Sequence, residues 1–164
     1  DLYKNLIQLE DGRKLIFIRH AYAPGNGDPA GFNLNDCSTQ RNLSDDGRKQ
    51  AQRIGEFFTK NKIEIDKVLS SEWCRCKETA KIAFKNYSTK SFLNSFYSSK
   101  FSKNKDKQVK AFNYYIKNLE SKKNLIFVTH YVFISEVLNY GPSSGEIVVS
   151  DKNLNIIGSI EIDF

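Results

Sequence analysis

The sequence predicts an α/β fold, specifically a three-layer α/β/α sandwich around a mostly parallel central sheet. Short apolar runs that are typical of buried strands alternate with longer stretches in which apolar residues recur at helical spacing. The chain has 164 residues, is 40% hydrophobic and contains only 3 prolines. A chain of this length is expected to fold as one domain over residues 1–164. No apolar run approaches the length of a membrane span.

The first half of the chain predicts two strand–helix pairs. Residues 14–19 contain the apolar run Leu-Ile-Phe-Ile, which is typical of a strand covered on both faces. A Gly-, Pro-, Asn- and Asp-rich loop follows over 22–42, and loops of that length are usually functional or disordered. Ser44 is a predicted N-cap, and the helix after it is followed by a strand at 66–70 and a helix over 73–84.

The second half begins with an irregular stretch over 86–107 that is rich in Ser, Asn, Lys and aromatic residues. Beyond it, apolar spacing predicts a helix at 106–120, a strand at 125–128, a short helix at 132–138, a turn at 141–145 and closing strands at 146–149 and 154–160.

Two near-identical sequence segments end in the only two histidines of the chain. Leu-Ile-Phe-Ile-Arg precedes His20, and Leu-Ile-Phe-Val-Thr precedes His130. Ligands of open α/β sheets bind outside the carboxyl ends of the strands. If these two strands are neighbours, both histidines face one crevice, whereas a lone histidine at such a place is more often structural.

Arginines accompany the histidines at the same predicted edge of the sheet. Arg19 directly precedes His20, and Arg75 opens the helix after the 66–70 strand. Guanidinium groups bind phosphate oxygens in bidentate geometry, and a helix N-terminus favours anions. The sequence therefore predicts a phosphate pocket, and the net charge of +6 suits an anionic partner. The alternative for Arg75 taken alone is a solvated surface position.

These residues resemble the histidine phosphatase superfamily, also called phosphoglycerate mutase-like. The family's strand ending in Arg-His-Gly corresponds to Ile18-Arg19-His20-Ala21, with alanine in place of the glycine. Further correspondences are Asn26, the Leu-Ser-x-x-Gly segment from Leu43 to Gly47, the Ser71–Arg75–Thr79 spacing, and His130. The resemblance covers about residues 15–149.

The resemblance implies a phosphatase that hydrolyses a phosphomonoester of a small molecule through a phosphohistidine. His20 would be the nucleophile, and Arg19, Asn26, Arg75 and His130 would bind the phosphate, with no metal and no cofactor. The alternatives are a non-catalytic module that binds phosphorylated ligands and a phosphoglycerate-type mutase. The mutase branch carries a longer insertion after the second arginine, so hydrolysis is favoured.

The resemblance does not identify the general acid, the residue that would protonate the leaving group. Tyr131 follows His130, so the adjacent aspartate of the phytase-like branch is missing. Glu146, which begins a closing strand beside the expected site, is the first candidate, and Asp28 is the second. Glu136 is expected to be solvated, and for each carboxylate a surface role remains open.

A lysine-rich segment with interleaved aromatic residues offers a nucleic-acid interpretation. Its lysines are Lys100, Lys103, Lys105, Lys107 and Lys110. A solvated face is the more common outcome for such a run, so no nucleic-acid partner is expected. The oligomeric state is not predicted.

The cysteines bear on the compartment. Some exported members of the family have a cysteine before a Thr-Gln-Arg-Asn-Leu-Ser stretch and a Trp-Cys-Arg segment, which correspond here to Cys37 and Cys74. The resemblance therefore suggests a Cys37–Cys74 disulfide with Cys76 free, because a bridge between Cys74 and Cys76 on one helix is geometrically poor. A disulfide and a chain that begins at Asp1 rather than Met favour a periplasmic or otherwise exported protein with its signal removed. A trimmed sequence and a cytoplasmic location are the alternatives.

Overall fold

A six-stranded sheet forms the centre of the structure, a computed structural model that describes residues 3–9, 12–120 and 122–164. The candidate mature N-terminus, Asp1, lies outside the described residues. The strands are β1 Leu15–Arg19, β2 Ile65–Ser70, β3 Ser88–Thr89, β4 Asn124–Thr129, β5 Ile147–Ser150 and β6 Ile156–Ile160. The α-helices are α1 Asp45–Lys60, α2 Cys74–Phe84, α3 Lys105–Lys117 and α4 Tyr131–Leu138.

The strand order β3-β2-β4-β1-β5-β6 places β1 and β4 side by side near the middle of the sheet. The first four strands in that order are parallel, whereas β5 runs antiparallel to both β1 and β6. The prediction of a mostly parallel α/β fold is therefore confirmed.

Two apolar layers flank this sheet, and the alternation of side chains along β1 separates them. Ile16 and Ile18 face a cluster that includes Ile54 of α1 and Ala80 of α2. Leu15 and Phe17 face the opposite cluster, which includes Phe112 of α3 and Phe133 of α4. Helices thus cover both faces of the sheet, which explains why β1 and β4 each carry a run of four consecutive apolar residues rather than an alternating pattern.

Most predicted elements form near their expected bounds, and the differences have local causes. The predicted N-cap is confirmed, since Ser44 accepts a hydrogen bond from the Gly47 backbone N–H at 3.1 Å. The last strand begins at Ile156 rather than 154, because the Asp151 carboxylate accepts from the backbone N–H groups of Asn153 and Asn155 and fixes a turn there. The third helix ends at Lys117 rather than 120.

The segment that the sequence left irregular, 86–107, contributes to the core. It includes the short strand β3 and the 3-10 helices Ser91–Leu93 and Ser102–Asn104. Phe92, Leu93 and Phe96 are buried in the cluster between the sheet and α3. Phe92 and Phe96 therefore cover the core, whereas Tyr97 is exposed.

Candidate active site

Adjacent strand ends place the two histidines together. Arg19 at the end of β1 pairs with Thr129 at the end of β4, and the backbone N–H of His20 donates to the Thr129 carbonyl at 3.0 Å. The His20 and His130 rings lie edge to face with their centroids 5.7 Å apart. Both side chains are buried. The predicted shared crevice is therefore present at the carboxyl ends of β1 and β4.

The surroundings of His20 fix one tautomer of its ring. Nδ1 lies 2.8 Å from the Ala21 carbonyl oxygen, which can only accept, so Nδ1 carries the proton. Nε2 then keeps its lone pair, toward which Arg75 Nε donates at 3.3 Å. Burial, followed by the positive charge of Arg75, lowers the pKa of His20 well below its usual value. His20 is therefore a neutral imidazole whose Nε2 carries a lone pair at neutral pH.

His130 is buried beside the same arginine. Its Nε2 is 2.8 Å from the Ser71 hydroxyl and 3.5 Å from the sulfur of Cys76. Burial, then Arg75 and His20, lower the pKa of His130 well below its usual value. The Nδ1 of His130 is buried with no hydrogen-bond partner among the described residues, and so is Nε of Arg19. Such groups in a protein interior normally have a partner, so both are candidate ligand contacts.

Arg75 is held in place by Asp28. Oδ1 of Asp28 accepts from Arg75 Nη1 at 2.8 Å, and Oδ2 accepts from Trp73 Nε1 at 3.1 Å. The backbone N–H of Arg41 also donates to Oδ1, at 3.1 Å. The Arg75 side chain is only 3% exposed in this ion pair, so the carboxylate fixes the guanidinium with little competition from water.

Each residue of the Ser71–Arg75–Thr79 spacing has a separate contact in the site. Ser71 contacts His130 and Arg75 contacts His20. Thr79 Oγ1 accepts from the Ala21 backbone N–H at 3.0 Å and donates to the Arg75 carbonyl at 2.8 Å. The start of α2 and the residues just before it therefore hold both histidine segments.

Arg41 is a site residue that the sequence interpretation did not single out. Its Nε donates to the Gly27 carbonyl at 2.7 Å, and its Nη1 donates to the Ala23 carbonyl. Burial and the charge of Arg75 lower the pKa of Arg41 to about 10, so it stays positively charged at neutral pH. The Leu-Ser-x-x-Gly segment from Leu43 to Gly47, which begins two residues after Arg41, was a sequence signal that this end of the loop packs beside the site. A side chain at Gly47 would meet the Tyr22 carbonyl oxygen at 2.0 Å, so this glycine lets α1 pack against the loop after His20.

A cavity of about 430 Å³ joins these side chains and has the size of a small-molecule site. Its charged and polar lining includes Arg19, His20, Asn26, Asp28, Arg41, Arg75 and His130. The structure thus brings together every sequence-predicted phosphate ligand.

The first candidate for the general acid is not part of this cavity lining. Glu146 is buried, with its carboxylate accepting from the Tyr140 hydroxyl at 2.5 Å and from the Ser143 backbone N–H at 2.8 Å. Asp28, the second candidate, lines the cavity. Glu136 is at the surface, 3.5 Å from Lys105 Nζ, as expected for a solvated residue.

A disulfide joins the long loop to the start of α2. Cys37 and Cys74 are bonded, and Cys76 is free and buried, as the resemblance suggested. Burial raises the pKa of the Cys76 thiol to about 12, so this cysteine is a protonated core residue. The bridge fixes the loop that carries Asp28 and Arg41 next to Arg75.

The described residues carry neither a metal-binding cluster nor a membrane-spanning helix. Within 3–9, 12–120 and 122–164, no cluster of three or more His, Cys, Asp or Glu side chains could hold a metal ion. Among the helices of the same residues, none is long and apolar enough to cross a bilayer.

Comparison with known proteins places these features in a wider group. Residues 15–93 match the model of the histidine phosphatase superfamily (branch 1). No curated protein matches the sequence.

Solved structures share the fold at low sequence identity. The protein histidine phosphatase SixA complexed with tungstate has a TM-score of 0.64 at 15% identity, covering 92% of this chain and 96% of that one. Phosphoglycerate mutase from Thermus thermophilus has a TM-score of 0.59 at 16% identity, covering 92% and 99%. The product of open reading frame Rv3214 from Mycobacterium tuberculosis has a TM-score of 0.63 at 14% identity, covering 92% and 97%.

Proposed function

We propose that the chain is a member of the histidine phosphatase superfamily, whose model matches residues 15–93, and that it hydrolyses a phosphomonoester through a phosphohistidine on His20. The observation that carries the proposal is the set of groups around Nε2 of His20. This nitrogen is neutral, and Arg75 donates to it. Arg19 and His130 line the same cavity, and Arg19 Nε and His130 Nδ1 are buried with no hydrogen-bond partner among the described residues. A dianionic phosphate would supply the missing acceptors.

The first chemical step uses the lone pair of His20 Nε2. When phosphate binds, the Arg75 N–H groups turn to its oxygens and release that lone pair. Nε2 then attacks phosphorus, the bond to the ester oxygen breaks, and the alcohol leaves after taking a proton. Arg19, Arg41 and Arg75 neutralise the charge on the equatorial oxygens, which is the main requirement of phosphoryl transfer.

The second step restores the enzyme. Water attacks the phosphorus of the phosphohistidine and the P–N bond breaks, so that Nε2 again carries its lone pair. One proton of the attacking water passes to the solvent, which replaces the proton that the alcohol took, and inorganic phosphate leaves. The N–H group at Nδ1 keeps donating its hydrogen bond to the Ala21 carbonyl throughout, which keeps the ring in one orientation with Nε2 as the reacting atom.

The carboxylates differ in whether they lie where the leaving group could be protonated. Asp28 is the one acidic side chain in the cavity lining of the described residues, and both of its oxygens already accept hydrogen bonds. We therefore assign it the role of positioning Arg75, with the proton coming from water. Esters of acidic alcohols, which leave with little help, are then the best substrates.

The test is hydrolysis of p-nitrophenyl phosphate by wild type, His20→Ala and the surface control Glu136→Gln. We expect turnover by wild type and the control, at least a thousandfold loss in His20→Ala, and an acid-labile phosphate trapped on wild type alone. Wild type that binds phosphate without turnover would instead indicate the non-catalytic binding module. Transfer to a second hydroxyl without hydrolysis would indicate a mutase.

We also propose that the protein works in an oxidising compartment outside the cytoplasm. The support is the Cys37–Cys74 disulfide, because such bonds persist in exported proteins and are rare in reducing compartments. Thiol counts on protein purified from its native source test this. One free thiol per chain agrees with the proposal, and three free thiols contradict it.

A further inference from the structure

The cavity extends well beyond the groups that would bind phosphate. Its remaining lining is rich in aromatic side chains, namely Phe32, Trp73, Tyr97, Phe101 and Tyr131. Few polar side chains interrupt them, and those are Ser95, Ser98 and Lys100. A sugar or polyol would find few hydrogen-bond partners on such a surface.

Three of the rings form one preorganised wall. Phe32 stacks on Trp73 with centroids 5.0 Å apart, and Phe101 packs edge-on against both at 5.8 and 5.5 Å. The Trp73 indole donates to Asp28 and lies 5.5 Å from the His130 ring. The wall is therefore attached to the phosphate-binding residues and begins where the leaving group of a bound ester must lie.

Two tyrosines flank the cavity with exposed rings. Tyr97 is 64% and Tyr131 46% exposed, although both line the cavity. Arg19 lies over the Tyr131 ring at 5.4 Å, whereas no described aromatic ring stacks on Tyr97. The Tyr97 edge instead lies close to Gly27, in the loop after His20. An exposed ring at the mouth of a cavity offers a face to a second ring.

We infer that this aromatic wall and the exposed Tyr97 ring at the mouth of the cavity together form the leaving-group subsite, and that the substrate is a phosphomonoester whose alcohol part carries a planar aromatic ring. The inference rests on the proposed phosphatase function, which places phosphate beside His20. It adds the chemical class of the group attached to that phosphate. Tyr97 is the specificity residue, because its ring is exposed and has no described contact with the phosphate-binding residues.

Non-hydrolysable phosphonates test the subsite without interference from leaving-group reactivity. Calorimetry would give the Kd of benzylphosphonate, cyclohexylmethylphosphonate and ethylphosphonate for wild type, Tyr97→Ala and Tyr114→Ala. Cyclohexylmethylphosphonate matches the benzyl compound in size but is not planar. Tyr114 is 72% exposed on α3 and is absent from the cavity lining, so it is the matched control.

We expect wild type and Tyr114→Ala to bind benzylphosphonate about three- to tenfold more tightly than cyclohexylmethylphosphonate, the range typical of one aromatic pair. Tyr97→Ala should lose most of that ratio. Equal binding of the two cyclic phosphonates, an unchanged ratio in Tyr97→Ala, or no binding of any phosphonate overturns the inference.

Hydrolysis of p-nitrophenyl phosphate, measured in parallel, separates this inference from the proposed function. Hydrolysis without an aromatic preference overturns the subsite alone. An aromatic preference without hydrolysis supports the subsite and contradicts the phosphatase.

Discussion

The two histidine rings share one electrostatic environment, since burial and the nearby arginines lower the pKa of both. Below the pKa of about 6.5 that an unfolded histidine has, the unfolded chain binds protons that the native rings do not. The free energy of unfolding therefore falls as the pH drops below that value, and it recovers as the pH rises. Neutral His20 remains a nucleophile over the same acidic range.

Proton NMR of the imidazole signals measures this directly, because the chain has only 2 histidines. We expect both rings to titrate well below a pH of about 6.5. In Arg75→Gln both pKa values should rise, since a positive charge is removed beside each ring. The exposed α1 variant Arg53→Gln should leave them unchanged. A ring that titrates at the ordinary histidine value in wild type would contradict the prediction.

Replacement of Asp28 by asparagine separates positioning from acid catalysis. Loss of the charge-assisted bond to Arg75 should lower kcat/KM about ten- to a hundredfold, from a bond worth about 1.5–3 kcal/mol. A positioning residue gives the same loss for every phenyl phosphate in a series of leaving groups. A loss that grows as the phenol becomes less acidic would identify Asp28 as the acid. Glu146→Gln should show no such dependence on the leaving group.

At the level of elements, the disulfide links a 3-10 helix in the long loop, Cys37–Thr39, to the first residue of α2. The loop between the two cysteines has a sequence separation of 37, for which a bridge contributes about 2–4 kcal/mol. We expect Cys37→Ser/Cys74→Ser to lose that much unfolding free energy in urea and to lose kcat/KM, because the loop carries Asp28 and Arg41.

The control for this prediction is the reductant itself. Dithiothreitol should reproduce the loss in wild type and change nothing in the double variant. Equal stability of the two proteins without reductant would show that the bridge does not hold the loop.

The predictability of an element follows from the strength of its own sequence pattern. β1 and β4 each contain a run of four apolar residues because both faces of the sheet are covered there, and that run predicts their bounds to within a residue. β3 has only two residues, both exposed, and carries no such pattern. The start of β6 depends on a turn held by the Asp151 side chain, which strand propensity does not describe.

The residues of the candidate site also differ in how far the sequence predicts their positions. Arg19, His20 and His130 directly adjoin the strand ends, and Arg75 opens a helix, so topology alone brings them together. Arg41 reaches the site only because the long loop folds back on itself, with its guanidinium held by the Ala23 and Gly27 carbonyls. Contacts of that kind depend on loop conformation, which local pattern does not determine. The place of Glu146 depends likewise on Tyr140 and Ser143.

On the scale of the whole molecule, the basic residues lie in two separate places, the cavity and the outer surface. Arg19, Arg41 and Arg75 line the cavity with one carboxylate, Asp28, so the cavity suits a phosphate dianion. Of the lysines at 100–110, Lys100 also lines the cavity, whereas Lys105 lies near Glu136 at the surface. The net charge of +6 is thus compatible with a small anionic ligand without a nucleic-acid surface.

The position of β1 between β4 and β5 has a consequence for how the site comes apart. Backbone amides in buried central strands exchange with solvent mainly through global unfolding, while loops open locally at lower free energy. Opening of the 22–42 loop on either side of its Cys37–Cys74 anchor would remove Arg41 and Asp28 and leave His20 and His130 in register on their strands. His20 thus belongs to the last part of the molecule to unfold, whereas Asp28 and Arg41 belong to a part that opens earlier.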